Sequence, residues 1–209
     1  MPVDQQRIEG VYAVTQPGPG LEDSVAAVLR GGVRIVQYRD KSADTERRRR
    51  EAEALQRLCA SHGALLIVND DVELAASVAA DGVHLGRDDG GVAAARSRLG
   101  PGAWIGVSCY ADLDRARRLA AEGADYVAFG SCFPSPTKPE SALAPLELLH
   151  QGREATGRPT VAIGGINGGN IGDVAAAGAD AAAVVSALFS ADDPQSAAQR
   201  LVAEWRRNR

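Results

Sequence analysis

One pattern returns four times along the chain and constrains the fold more than any other feature: "LRGGVRIVQYR", "VAADGVHLG", "AAEGADYVAFG" and "AAAGADAAAVVS". Each copy reads as the end of an Ala/Leu-rich helix, a glycine or Asp-Gly stop, and a short run with β-branched residues. Glycine is favoured just past a helix because, without a Cβ, it takes positive φ freely. A recurring helix-to-strand connection implies parallel strands joined by crossover helices. Strands are expected at 10–15, 33–39, 65–69, 82–85, 104–108, 126–130, 160–164 and 181–186. Helices are expected at 21–30, 44–62, 72–79, 91–99, 112–122, 143–156, 171–177 and 194–207. Eight units in 209 residues predict a compact α/β fold, a single (β/α)8 TIM barrel forming one domain over 1–209. A doubly wound open sheet is the alternative. Its nucleotide-binding version carries a glycine fingerprint in the first turn, and "TQPGPGLE" lacks G-x-G-x-x-G.

Composition adds exclusions. The formal net charge of −4 gives no general affinity for nucleic acid. The run Arg47–Arg50 is expected to be a solvated helix face, with Arg47/Glu51 and Arg49/Glu53 as i,i+4 pairs. Cys59, Cys109 and Cys132 show neither paired nor metal-ligand spacing, which fits a reduced cytosolic setting. The start "MPVDQQRIEG" has no apolar signal core, and no segment is long enough to cross a membrane. A cytoplasmic protein without a lipid anchor is expected. No H-E-x-x-H or C-x-x-C occurs, so zinc is not expected. No histidine lies near Cys109 in sequence to activate it, and His84 reads as a core or rim residue.

Barrel enzymes place their chemistry at the C-terminal ends of strands, and polar residues gather there. The second strand ends in "QYRDK". Extended backbone sends successive side chains to opposite faces, so Gln37, Arg39 and Lys41 share one side and Tyr38 and Asp40 the other. An arginine that forks onto two oxygens beside a lysine point charge suits a polyanion. Asp70 and Asp89 end the third and fourth strands. Two carboxylates beside two cations suit an Mg²⁺-bound diphosphate, whereas Asp71 and Asp88 read as caps or solvent-facing neighbours. Gly164, Gly165 and Ser186, after the last two strands, suit a second anion site built on backbone N–H groups. Residues 133–140 hold three prolines and form a candidate lid that carries Lys138 inward.

Together "QYRDK", "ND" at Asn69–Asp70, "DGVHLGRDD", "IGVS", "GSCFPSPTK", "AIGGI" and "VVSAL" resemble, in order and over nearly the whole length, the thiamine phosphate synthase (thiamine-phosphate pyrophosphorylase) family. The resemblance implies a transferase. It condenses 4-amino-2-methyl-5-hydroxymethylpyrimidine diphosphate with 4-methyl-5-(2-phosphoethyl)thiazole, or its carboxylated form, and releases diphosphate. It further implies that Gln37, Arg39, Lys41 and Asn69 bind the pyrimidine diphosphate, with Tyr38 and Asp40 of the same segment among the substrate-binding residues. Asp70 and Asp89 would hold Mg²⁺, and Ser108 and Lys138 would also contact the pyrimidine diphosphate. Ser135, Pro136 and Thr137 would line the thiazole phosphate, with Gly165, Val185 and Ser186 around its phosphate. Arg39, Lys41, Ser108 and Lys138 are the catalytic set. The family's chemistry is dissociative: a pyrimidine cation forms and the thiazole nitrogen captures it, so no protein nucleophile is needed. The family also suggests a homodimer. The chain departs from the family pattern at Arg87 (usually Gln), Tyr110 (usually His) and Ser131 (usually Pro). Two alternatives remain: a thiazole tautomerase-like paralogue, and a non-catalytic barrel that binds a phosphorylated metabolite.

Overall fold

The computed structural model describes residues 7–134 and 143–209. Eight strands close in chain order into a parallel barrel. They are β1 (Gly10–Val14), β2 (Ile35–Tyr38), β3 (Leu65–Asn69), β4 (Gly82–Leu85), β5 (Trp104–Tyr110), β6 (Tyr126–Gly130), β7 (Thr160–Ile163) and β8 (Ala181–Val184). The helices between and after them are α1 (Leu21–Arg30), α2 (Thr45–Ser61), α3 (Val72–Ser77), α4 (Val92–Leu99), α5 (Leu113–Ala121), α6 (Glu147–Thr156), α7 (Ile171–Ala176), α8 (Ser186–Phe189) and α9 (Pro194–Arg207). This is the TIM barrel that the repeated helix–glycine–strand pattern predicts.

Strand alternation sorts the core into two shells. One shell fills the barrel interior and includes Tyr12, Val14, Ile35, Leu65, Ile67, Trp104, Tyr126, Val161 and Ala183. The other lies between strands and helices and includes Val11, Val36, Leu66, Val83, Val107, Val127 and Ala182. Alternate residues of one strand thus go to different shells, as the two-residue period requires. Four helix starts are fixed by aspartate. Asp44, Asp71, Asp112 and Asp193 each accept a hydrogen bond from a backbone N–H in the first turn, each contributing about 1 kcal/mol.

The recurring motif has a second use at the N-terminal end of the barrel. Asp81, Asp125 and Asp180 stand just before β4, β6 and β8. Each takes the backbone N–H of a neighbouring strand, from Leu66, Ile105 and Thr160 respectively, at 2.8 Å in all three cases. Arg96 pairs with Asp125, and Arg153 with Asp180. These aspartates stitch successive strands together at the end away from the chemistry.

Several expected boundaries shift. β2 starts at Ile35 rather than 33, and β5 continues to Tyr110 through a register irregularity between Ser108 and Tyr110. β8 ends at Val184, and the short helix α8 begins at Ser186, which the sequence reading had placed in the strand. α6 starts at Glu147, not 143. The residue before a proline avoids helical backbone, and Ala144, ahead of Pro145, donates its N–H to the Ser131 carbonyl instead. The arginine run is only partly a solvated face. Arg49 pairs with Glu53 and Arg47 with Glu51 as expected, but Arg47 also reaches Asp40 at 2.6 Å, and Arg48 turns to Asp71 at 2.8 Å. Those two tie the start of α2 to the loops after β2 and β3.

Candidate active site

The C-terminal rim takes its cations from the end of β2. Thr15, at the end of β1, accepts the Arg39 backbone N–H on Oγ1 at 2.9 Å and so fixes the chain as it leaves the sheet. Gln37 lies inside the barrel, where its Nε2 donates to the Tyr12 hydroxyl at 2.9 Å. Tyr38 and Asp40 face the other way, as alternation predicts. The Tyr38 hydroxyl donates to Glu51 of α2 at 2.7 Å. Burial and that carboxylate raise its pKa. The Asp40 carboxylate takes the Ser42 N–H at 2.7 Å and the Arg47 guanidinium at 2.6 Å. Although burial opposes ionisation, these donors lower the Asp40 pKa. Both side chains are committed to holding α2 against the β2 loop. Among the described residues, the Arg39 side chain makes no hydrogen bond or ion pair.

The acids sit opposite. Asp70 follows β3 with φ of 64°, a left-handed conformation that aspartate tolerates better than most residues. Its backbone N–H is held by the His84 carbonyl at 2.8 Å. Lys41 Nζ lies 3.2 Å from Asp70 Oδ2. The pKa of Asp70 is nevertheless raised, first by burial and then by the neighbouring Asp89 carboxylate, with Lys41 opposing. Asp89 is turned inward by the Gly86 N–H, which donates to its Oδ2 at 2.8 Å. A Cβ at Gly86 would stand 2.5 Å from that oxygen and at an ordinary contact distance of 4.0 Å from Asp70 Oδ1, so the inward position of the Asp89 carboxylate requires glycine there. Asp71 is the cap of α3, as expected.

On the far side, Ser108 Oγ lies 2.9 Å from His84 Nε2, and His84 Nδ1 lies 3.1 Å from the Tyr126 hydroxyl. Burial lowers the His84 pKa to about 4, so the ring is neutral near pH 7. Arg115 of α5 donates to the carbonyls of Ser108 and Gly86 at 2.9 and 3.1 Å, locking the ends of β4 and β5 together. After β7, Gly164 and Gly165 have φ of 103° and 66°. Asn170 Nδ2 donates to the Gly165 carbonyl at 3.0 Å. A Cβ at Gly165 would meet the carbonyls of Phe133 and Pro134 at 2.7 and 2.6 Å, so close packing also demands glycine there. Val185 and Ser186 stand at the turn from β8, the strand next to β7, into α8.

The family model described as thiamine monophosphate synthase matches residues 11–188. The chain is 75% identical over 203 residues to a thiamine-phosphate synthase of Halorhodospira halophila, covering 97% of each chain. It is 58% identical to that of Chromobacterium violaceum, over 95% of this chain and 97% of the relative. The chain belongs to the thiamine monophosphate synthase family. A solved thiamine phosphate pyrophosphorylase from Pyrococcus furiosus superposes with a TM-score of 0.88 at 33% identity, over 98% of this chain and 99% of that one. A 3-hexulose-6-phosphate synthase superposes at 0.66 with 20% identity and shares the fold.

As a member of this synthase family the chain is an enzyme, a transferase of thiamine biosynthesis. Ser135, Pro136, Thr137 and Lys138 lie outside the described residues, and so does most of the expected lid. Two of the three departures from the family pattern touch each other: the Arg87 guanidinium lies 4.7 Å from the centre of the Tyr110 ring. Ser131, the third, donates from Oγ to the Phe133 carbonyl at 3.1 Å. Cys59, Cys109 and Cys132 are buried, with burial pushing their pKa values to about 12, 12 and 11, which suits packing rather than nucleophilic catalysis. No helix among the described residues is long and apolar enough to cross a membrane. Sequence reasoning missed Thr15, Arg115 and the buried Tyr12 and Tyr126. Thr15 ends a strand and so carried the same positional signal as Ser108. Arg115 lies one helical turn into α5 and carried none.

Proposed function

We propose that the protein joins 4-amino-2-methyl-5-hydroxymethylpyrimidine diphosphate to the thiazole phosphate, giving thiamine phosphate and diphosphate, in the cytoplasm. The observation that carries this reading is the meeting of Asp70 and Asp89 beside Lys41 on one rim, with a glycine at 86 admitting the Asp89 carboxylate. Two hard carboxylates from adjacent strand ends fit Mg²⁺, which takes one or two protein carboxylates and completes its shell with water and phosphate oxygens. Among the described residues there is no group of three or more His, Cys, Asp or Glu that could hold a metal, so a site of this kind relies on oxygens from the substrate. Mg²⁺ held there would neutralise charge on the departing diphosphate.

Arg39 and Lys41 would bind the diphosphate and stabilise the negative charge that builds on it as the C–O bond breaks. Asn69, Gln37 and Ser108 would orient the pyrimidine. Tyr38 and Asp40 would act at a distance, by fixing α2 against the loop that carries Arg39. Gly165, Val185 and Ser186 would take the thiazole phosphate through backbone N–H groups and the Ser186 hydroxyl. Lys138, with Ser135, Pro136 and Thr137, would complete the mouth. No side chain need act as nucleophile: positioning and charge complementarity carry the rate.

The test is direct. Purified protein with both substrates and Mg²⁺ should form thiamine phosphate, read by mass spectrometry; no product would end this reading. Arg39→Ala should raise KM for the pyrimidine diphosphate at least tenfold while leaving KM for the thiazole phosphate within about twofold. Equal weakening of both would contradict the two-site map.

A further inference from the structure

Five side chains from five strands form one hydrogen-bonded chain through the barrel interior. Gln37 Nε2 meets the Tyr12 hydroxyl at 2.9 Å. That hydroxyl meets the Tyr126 hydroxyl at 2.9 Å. Tyr126 meets His84 Nδ1 at 3.1 Å, and His84 Nε2 meets Ser108 Oγ at 2.9 Å. Tyr12 and Tyr126 are 1% and 0% exposed, and Gln37 and His84 5% and 8%, so water does not compete for the inner links. Gly106 lies in register between His84 and Tyr126. A Cβ there would overlap the Tyr126 ring, so a glycine admits that ring to the barrel axis.

Such a chain has a direction, and counting hydrogens gives it. An amide nitrogen only donates, so Tyr12 accepts from Gln37. Were Tyr12 also to accept from Tyr126, its own hydrogen would be buried without an acceptor, which is costly; the arrangement that uses every hydrogen has Tyr12 donating to Tyr126 and Tyr126 donating to His84 Nδ1. A neutral imidazole that accepts on Nδ1 carries its proton on Nε2, and it donates that proton to Ser108. Ser108 is left with a free hydroxyl hydrogen. Gln37, whose Nε2 is spent on Tyr12, is left with Oε1, which accepts nothing from the described residues.

We infer that Tyr12, Tyr126 and His84 are positioning residues, which set Ser108 as a hydrogen-bond donor and Gln37 as an acceptor so that the site reads an aminopyrimidine in one orientation. This inference rests on the proposed function for its substrate. The match is chemical: a ring nitrogen accepts and an exocyclic amine donates. In the reverse direction Ser108 would give its hydrogen to His84 and the donor would be lost, while Gln37, whose Nε2 still faces Tyr12, would keep its acceptor. An acceptor on the amine also favours electron release into the ring as the cation forms.

The chain's direction is read by NMR on protein labelled with ¹⁵N at histidine, without substrate, at neutral pH. His84 should show the Nε2–H tautomer; the Nδ1–H tautomer would overturn the inference. Tyr126→Phe should convert His84 to mixed tautomers. It should also raise KM for the pyrimidine diphosphate about tenfold, leaving KM for the thiazole phosphate within twofold. An unchanged ratio of the two KM values would overturn it. Should Tyr126→Phe fail to fold, Tyr12→Phe replaces it: freeing Gln37 should give the same split in KM with the His84 tautomer retained, and no split would refute the role. Wild-type protein that makes no thiamine phosphate would remove the proposed function and with it the substrate role, whereas an Nδ1–H tautomer in active wild-type protein would remove the relay alone.

Discussion

The neutral state of His84 should leave a mark on stability that can be calculated. In the unfolded chain a histidine titrates near 6.5; in the folded protein burial lowers this one to about 4, with Asp89 opposing weakly. Between those values the unfolded chain binds the extra proton, so stability is present in full above about 6.5 and is lost as pH falls toward 4. From pH 7 to pH 5 the unfolded site takes up nearly a whole proton and the folded site almost none, a loss of about 2 kcal/mol. For a chain of this length that is roughly 4–8 °C of Tm. The perturbation is His84→Gln, which has similar volume and no titration in this window. Scanning calorimetry of both proteins at pH 7 and 5, in chelator to exclude divalent ions, isolates the site. Asp70, whose raised pKa acts in the opposite direction, is present in both and cancels in the difference. The wild type should lose roughly 4–8 °C more than the variant. Equal losses would show that His84 is solvated or already charged, and the account of the buried chain would fall with it.

Other consequences follow from the same rim. Asp70→Asn removes a like-charge contact and places asparagine, which is at ease at positive φ, at φ 64°. It should be at least as stable as wild type without Mg²⁺. Wild type at a hundredfold excess of Mg²⁺ over Kd should gain about 2.7 kcal/mol, roughly 5–10 °C, and the variant should gain none; an equal gain in thermal-shift measurements would move the metal elsewhere. Since Asp70 must be ionised to bind a cation and its pKa is raised, Mg²⁺ affinity measured by titration calorimetry should weaken on acidification above the ordinary aspartate range. Gly106→Ala should cost about 1–3 kcal/mol in urea unfolding by forcing the Tyr126 ring aside. A change below 0.5 kcal/mol would mean that the ring has room to move.

The barrel was legible because its signal is periodic and local: a glycine stop before a β-branched run, repeated, leaves few other folds. The rim was legible because polarity at the end of an apolar strand is unusual, and alternation put Gln37 on one face and Tyr38 and Asp40 on the other, as their partners show. The partners of those outward residues were not legible. Asp40 meets Arg47 seven positions away and Asp71 meets Arg48 twenty-three away, and an arginine run read on its own helix looks like a solvated face. The interior chain was invisible for a related reason. Tyr12, Gln37, His84, Ser108 and Tyr126 are spread over five strands; Gln37 and Ser108 stand out at strand ends, but Tyr12, His84 and Tyr126 read as ordinary strand residues until closure of the barrel brings all five together. The start of α8 at Ser186 was hidden because "VVS" continues the strand pattern without a turn residue.

The two ends of the barrel use the same residue type in opposite ways, and the contrast locates function independently of any relative. At the N-terminal end Asp125 and Asp180 each hold a strand N–H and an arginine. Their charge is matched by donors that the fold itself supplies. At the C-terminal rim Asp70 faces Asp89, with one exposed lysine in partial compensation. A fold selected for stability alone would separate those two acids or add the arginine that the other end has. Leaving them together costs stability in the free protein, a cost that binding of the proposed cation would offset. Removing one of the two like charges should therefore stabilise the free protein and abolish Mg²⁺ dependence together. Asp89→Asn, which keeps an oxygen for the Gly86 N–H, is the variant that joins both effects in one measurement. A variant that gained stability and still required Mg²⁺ would break the link between the uncompensated acids and the chemistry.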